Sequence, residues 1–352
     1  MKVLLLPWIQ IQARYLIRKE DIFMRKNTLI LWILLSLLVF NVFSAGPGFA
    51  TGKKLLAMGS TQSSSSHYAY FVAVGKIINT YVPEVSINVV ETGASVDNIN
   101  RIKKGQLDLG MTTIHLQYQA YHGMGPWKDS PIKDQYVLWV YQPAPQNFVV
   151  RKDSGVKTVY DLKGKRFNPG MRGSASEKTA EAILDALGVA PDFYRGGTAD
   201  TVAAIKDNRI VGYVKSGAGV RTLDASTMDI ATFTPISLIG FTDNDIAKVQ
   251  AKYPYLSPVT VPKGIYKDSP AYKTFAMLIG VVASKNVPED LAYKMVKAAD
   301  EHFADQVAAY PSIKGDNLPK LTLETCTVPM HPGAIKYYKE LGLKIPENLI
   351  PK

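Results

Sequence analysis

From Leu55 onward, short apolar runs alternate with amphipathic stretches, the pattern of strands connected through helices. Residues 55–59 predict a first strand, 71–81 a helix ended by Pro83, and 85–91 a second strand. A helix over 96–104, stopped by Gly105, and a strand over 107–112 complete a βαβαβ unit. Residues 136–151 supply strand material around a proline-containing break, after which the alternation restarts. The second series is a strand at 165–168, a helix at 175–187, a strand near 193–195, a helix near 198–207 and a strand at 210–214. Two similar α/β halves in series predict two lobes. Nearer the C-terminus, residues 288–309 carry Leu291, Met295, Val296, Ala299 and Phe303 at three- and four-residue spacing, the apolar face of one helix packed on a lobe.

The N-terminal pattern is different. Residues 29–43 form one apolar block of 15, preceded by Arg25 and Lys26 and followed by the small-residue stretch 44–50. These are the three parts of a secretory signal peptide, and the block is short for a membrane span, which needs about 20 apolar residues. Gly48 and Ala50 place cleavage after Ala50, so that 1–50 is the signal peptide and the exported, periplasmic body begins at Thr51. Met24 offers a second start for the same signal, and an uncleaved anchor is the competing reading.

The chain has 352 residues, 47% of them hydrophobic and 20% charged, which describes a globular protein. Its net charge is +11, but residues 1–50 hold six bases and two acids, so the body carries a scattered +7. No basic stripe interleaved with aromatics occurs, which argues against a nucleic-acid groove. The single cysteine, Cys326, excludes an internal disulfide, a CxxC pair and multi-thiolate metal sites. Phosphate loops, GxGxxG, HExxH and GxSxG elbows are absent, and His67, His115, His122, His302 and His331 lack ligand spacing, so no metal, cofactor or catalytic group is expected.

The candidate chemistry lies where strands enter helices. Four serines, Ser63, Ser64, Ser65 and Ser66, lead into the first helix, where free N–H groups and the helix dipole favour an anion and hydroxyls add donors. A capped, solvated loop explains the same serines equally well. Gly93 and Ser95 stand at the second junction, and Gly173, Ser174 and Ser176 at the third, with Glu177 suited to a capping box. If two lobes close over a cleft, these three junctions face each other.

With these loops in place, the chain resembles the TAXI family of solute receptors, the extracytoplasmic binding proteins of TRAP transporters. The resemblance runs from Leu55 to about Leu343 and is carried by TGASVDNINRIKKGQLDLGMTT (92–113), DLKGKRFNPGMRGSASE (161–177), KYPYLSPVTVPKGIY (252–266) and HPGAIKYYKELGL (331–343). It implies an α/β, type II periplasmic binding protein fold, two α/β lobes joined by crossing hinge segments, with lobe I at 51–148 plus about 262–352 and lobe II at about 149–261. It also implies a monomeric, non-enzymatic receptor that passes a small organic anion, such as glutamate, a dicarboxylate or a 2-oxo acid, to a TRAP-type membrane permease. Ser63 stands at the family's threonine position and His67 and Tyr68 at its tyrosine pair, while Gln62, Ser64 and Ser65 replace glycines. Ser95 matches the serine of the second loop, Ser174 and Ser176 match the third, and Thr113 begins the segment where the family carries QSD. Arg172 takes a position that is usually uncharged and is either a bidentate carboxylate partner or a solvated loop cation. Lys215, followed by Ser216 and Gly217, is the other candidate cation. A sensory receptor for the same ligands and a hydrolase using one serine are the competing functions.

Overall fold

The computed structural model describes residues 52–352. The expected signal peptide, 1–50, lies outside the described residues. No helix among the described residues is long and apolar enough to cross a membrane.

Strand β1 (Lys54–Gly59), helix α1 (Ser66–Tyr81), β2 (Val85–Val90), α2 (Ser95–Lys103) and β3 (Leu109–Thr113) form the expected βαβαβ unit, with β1 parallel to both β2 and β3. Helix α1 starts a turn earlier than the apolar pattern suggests, because Ser65 caps it and Ser66 is already helical. Helix α3 (Ile114–His122) follows directly on β3.

The long β4 (Gln135–Arg151) is a single strand that serves two neighbourhoods. Its first part pairs with β10 (Tyr272–Ser284), and its last part pairs with β7 (Gly212–Ser216) and β8 (Ile236–Ile239). The prolines do not break it. Pro145 turns its carbonyl away from β10, to the Gly217 N–H at 2.8 Å, so Pro143 and Pro145 lack a donor only on the side where β7 has not yet begun. Strand β10 likewise joins β3 and β4 at one end and β9 (Ser257–Val261) at the other. The sheet order is β2-β1-β3-β10-β4-β7-β5-β6, with β5 (Arg166–Asn168) and β6 (Asp192–Phe193) parallel. These two crossing strands connect two α/β halves, which is the two-lobe fold expected of the sequence.

Each half has its own apolar core. Leu56, Phe71, Val74, Trp139, Val281, Met295 and Tyr338 belong to one. In the other half, period-two alternation along β4 sends Phe148 and Val150 to one face and Val149 to the opposite face. Helices α4 (Ala175–Ala186), α5 (Thr198–Lys206), α6 (Ala225–Phe233) and α7 (Asp243–Lys252) cover these faces. The single helix expected over 288–309 is instead α8 (Glu289–Glu301) and α9 (Phe303–Ala309). The break falls at His302, whose backbone leaves helical geometry while its ring stacks on Tyr81 at 3.4 Å. Met295, Val296 and Ala299 are buried as the apolar spacing requires, whereas Leu291 and Phe303 are only partly covered. Helices α10 (Leu318–Thr325) and α11 (Pro332–Glu340) complete the chain.

Candidate functional site

The N-termini of α1, α2 and α4 converge on one small cavity of about 30 Å³ between the two halves of the sheet. Polar lining comes from Thr61, Ser65, His67, Ser95, Thr113, Ser174, Ser176, Lys215 and Ser216. Apolar lining comes from Ala94, Met111, Met171, Ala175, Val214, Met277 and Ile279. Each junction read from the sequence therefore contributes.

Of the four serines, only Ser65 reaches the cavity. Ser63 and Ser64 are exposed, and Ser63 spends both its N–H and its hydroxyl on the Glu91 carboxylate, at 2.7 and 3.1 Å. Ser65 caps α1, donates to Asp224 at 2.9 Å and accepts from Lys215 Nζ at 3.1 Å. Ser66 donates its backbone N–H to the same Asp224 oxygen at 2.9 Å, and its hydroxyl accepts from the Ala225 N–H at 2.7 Å. Thus α1 and α6 cap each other across the cleft: the anion favoured at the start of α1 is the protein's own Asp224. The Gln62 side chain also accepts from the Thr198 N–H, and Val96 donates to the Gly173 carbonyl at 3.0 Å, so the two sides of the cleft are bonded to each other at several points.

Asp224 is fully buried and its other oxygen, Oδ1, accepts from the Ser226 N–H and hydroxyl, at 3.0 and 2.6 Å, with Lys215 Nζ 3.6 Å from that same oxygen. Burial pushes its carboxyl up, but Lys215 and then His67 and Ser226 outweigh that and hold it below the ordinary range. His67 is pushed down to about 4, first by burial and then by Lys215, against the pull of Asp224. The imidazole is therefore neutral near pH 7. Its Nδ1 lies 3.1 Å from the Tyr141 hydroxyl, 3.3 Å from that of Tyr310 and 3.4 Å from the Gln142 amide nitrogen, a donor. With Nδ1 accepting, the hydrogen-bond network assigns the proton to Nε2, which faces Ser216 Oγ at 3.3 Å and the cavity.

Two hydroxyls in this cavity are unpartnered. Ser95 Oγ and Thr113 Oγ1 are buried and make no hydrogen bond within the protein. Ser174 Oγ accepts from the Glu177 N–H at 3.1 Å, which leaves its own hydrogen available, while the Glu177 carboxylate reaches Gly173 N–H rather than that of the cap residue. Lys215, the His67 Nε2–H and several hydroxyls thus line a space to which no carboxylate among the described residues contributes, Asp224 being held by Ser65 and Lys215 outside the lining.

The two candidate cations separate. Lys215 is 9% exposed and lines the cavity. Arg172 is exposed and borders a wider, open hollow of about 400 Å³ with Glu91, Gly93, Arg101 and Met171, outside the cavity. The reason is local. Gly173, at a φ of 78°, turns the chain so that its carbonyl meets α2 and Arg172 points outward. Gly93 lies on this outer hollow, Tyr68 is half-buried away from the cavity, and Gly217 serves the backbone turn after β7. The sequence patterns did not single out Asp224, Ser216, Tyr141, Gln142, Tyr310 or the three methionines as parts of the site. Asp224 was readable as a cap from Asp-Ala-Ser-Thr, but nothing local reveals which helix it meets across the cleft.

The other histidines have structural roles: His115 stacks on Tyr255, His122 lies beside Tyr118 and His331 caps α11. Cys326 is buried, and burial pushes its thiol up to about 12.

The crossing strands define a two-lobe α/β protein, with the cavity as its candidate site. The chain belongs to the NMT1-like family, whose sequence profile matches residues 57–342. Among solved structures it is similar to the periplasmic aliphatic sulphonate-binding protein SsuA from Escherichia coli, at 15% identity over 82% of this chain and 84% of that one, with a TM-score of 0.41. It is also similar to DctP7, a Bordetella pertussis extracytoplasmic solute receptor binding pyroglutamic acid, at 11% identity, 84% and 89% coverage and a TM-score of 0.45. An ancestral arginine-binding protein bound to arginine matches at 15% identity, 75% and 99% coverage and a TM-score of 0.47.

Proposed function

We propose that this protein is an exported solute receptor that encloses one small organic anion in the cavity between its halves and delivers it to a membrane permease of the TRAP type. The observation that carries the anion is the pair of buried, unpartnered hydroxyls, Ser95 and Thr113, on the same cavity as Lys215 and the His67 Nε2–H. An orphaned buried donor is costly, by about 1–3 kcal/mol, and an incoming carboxylate relieves it. The positive ends of α2 and α4 add to the field, that of α1 being met by Asp224, which also keeps Lys215 from being an isolated buried charge. The permease rests on the TAXI resemblance of residues 92–113, 161–177, 252–266 and 331–343, as do the lobe limits, 51–148 plus about 262–352 against about 149–261. The apolar block at 29–43 supports export.

A hydrolase would need a base beside its serine. Ser216 Oγ and His67 Nε2, 3.3 Å apart, are such a pair in distance. Burial and Lys215 lower the proton affinity of that imidazole, which disfavours the imidazolium a general base must become. Calorimetric titration with a panel of organic acids, neutral sugars and amines, followed by mass analysis of the ligand, tests the proposal. A receptor binds some of the acids and returns them unchanged. Turnover, or binding confined to neutral sugars and amines, refutes it.

A further inference from the structure

We infer that the cavity takes two- and three-carbon monocarboxylates and excludes larger dicarboxylates, with the Met171 side chain as the wall that sets this limit. The inference rests on the anion reading above and narrows it. The cleft is already closed: Ser65 and Ser66 hold Asp224, Ser66 accepts from Ala225, and Val96 meets Gly173. What remains inside is about 30 Å³. At roughly 10–15 Å³ per water that is room for two or three waters. A carboxylate with one or two further carbons fits, whereas a five-carbon dicarboxylate requires those cross-cleft bonds to stay open.

The lining has the same asymmetry as such a ligand. Lys215 is the one cation among the described lining residues, and it stands with the unpartnered hydroxyls of Ser95 and Thr113. Met111, Met277, Ile279 and Val214 supply an apolar surface. One charged head and a short carbon tail match that division, and an inorganic oxyanion leaves the apolar surface without a partner. Met171 borders both this cavity and the outer hollow of about 400 Å³ that holds Arg101 and Arg172. Met171 is the residue shared by the two linings, so truncating its side chain is the change expected to connect Lys215 with the outer cationic groups.

The test is calorimetry on the purified protein and its Met171→Ala variant, with Met171→Leu as the control of similar volume. The probes are acetate, lactate, pyruvate, glutamate, 2-oxoglutarate, nitrate and phosphate. The expected result is that a two- or three-carbon monocarboxylate binds the parent at least tenfold more tightly than either dicarboxylate. Met171→Ala narrows or reverses that ratio and Met171→Leu preserves it. Tighter binding of a dicarboxylate to the parent overturns the size limit and leaves the anion reading standing. Preference for nitrate or phosphate overturns the carboxylate head-and-tail assignment. An unchanged ratio in Met171→Ala overturns the role of Met171, and absence of binding by every anion overturns the receptor reading itself.

Discussion

Replacing Lys215 by methionine probes binding and folding through one side chain. Its Nζ is the cation of the cavity and lies 3.6 Å from Asp224, which is fully buried. Breaking a buried pair by removing one partner typically costs about 3–5 kcal/mol. Here Asp224 keeps four other donors, from Ser65, Ser66 and Ser226, so a loss of about 3 kcal/mol, the lower end of that range, is expected. Anion affinity should fall by about 2–5 kcal/mol, roughly 30-fold to several thousandfold. The pH dependence gives a second readout with a definite sign. In the parent, the Asp224 carboxyl is held low, so its contribution is full at neutral pH and is lost as pH falls below about 4 through its folded value. Removing Lys215 takes away the largest influence that opposes burial and so moves the carboxyl upward, which weakens the stabilisation that ionised Asp224 gives at neutral pH. The stability deficit of Lys215→Met should therefore be larger near pH 7 than near pH 4.5, as read by denaturant titration with circular dichroism. Adding Asp224→Asn should recover part of the stability without restoring binding. A variant that binds anions like the parent, with the same deficit at both pH values, refutes the reasoning.

The unpartnered hydroxyls give the opposite separation. Ser95→Ala and Thr113→Val should each weaken anion binding by about 0.5–1.5 kcal/mol in calorimetry while leaving the thermal midpoint of the free protein unchanged or raised, because a buried orphan donor is removed. Arg172→Ala should leave the equilibrium affinity within about 0.5 kcal/mol, as for an exposed group, and slow association at low ionic strength in stopped-flow measurements. His67 should make the fold sensitive to acid: with its folded value lowered to about 4, the unfolded chain takes up a proton from about pH 6.5 downward that the folded protein refuses. Stability should fall over that window, and His67→Gln should flatten the dependence in thermal melts at a series of pH values.

Sequence pattern and structure agree most closely where the chain's own periodicity decides the element. The βαβαβ unit and α4 lie within a few residues of expectation, because alternation, Pro83 and Gly105 are local features. The stretch after residue 215 gave less, since β10 is defined by β3, β4 and β9 rather than by a period of its own. The split at His302 was hidden by an apolar spacing that continues through it. At the site, Ser65, Ser95, Ser174 and Ser176 could be nominated from helix-start chemistry alone. Arg172 and Lys215 could not be ranked, because the turn at Gly173 and the burial of β7 decide which cation faces inward. Asp224 is 159 residues from Ser65, and its role exists only once the two helix starts meet.

The most direct test is the structure of the protein with the carboxylate that it binds most tightly. The predicted result is a carboxylate within hydrogen-bonding distance of Lys215 Nζ, Ser95 Oγ and Thr113 Oγ1, enclosed between α1, α2 and α4, with Asp224 still capping α1. A ligand held instead at the outer hollow by Arg172 and Arg101, or one that displaces Asp224 from Ser65 and Ser66, would contradict the account.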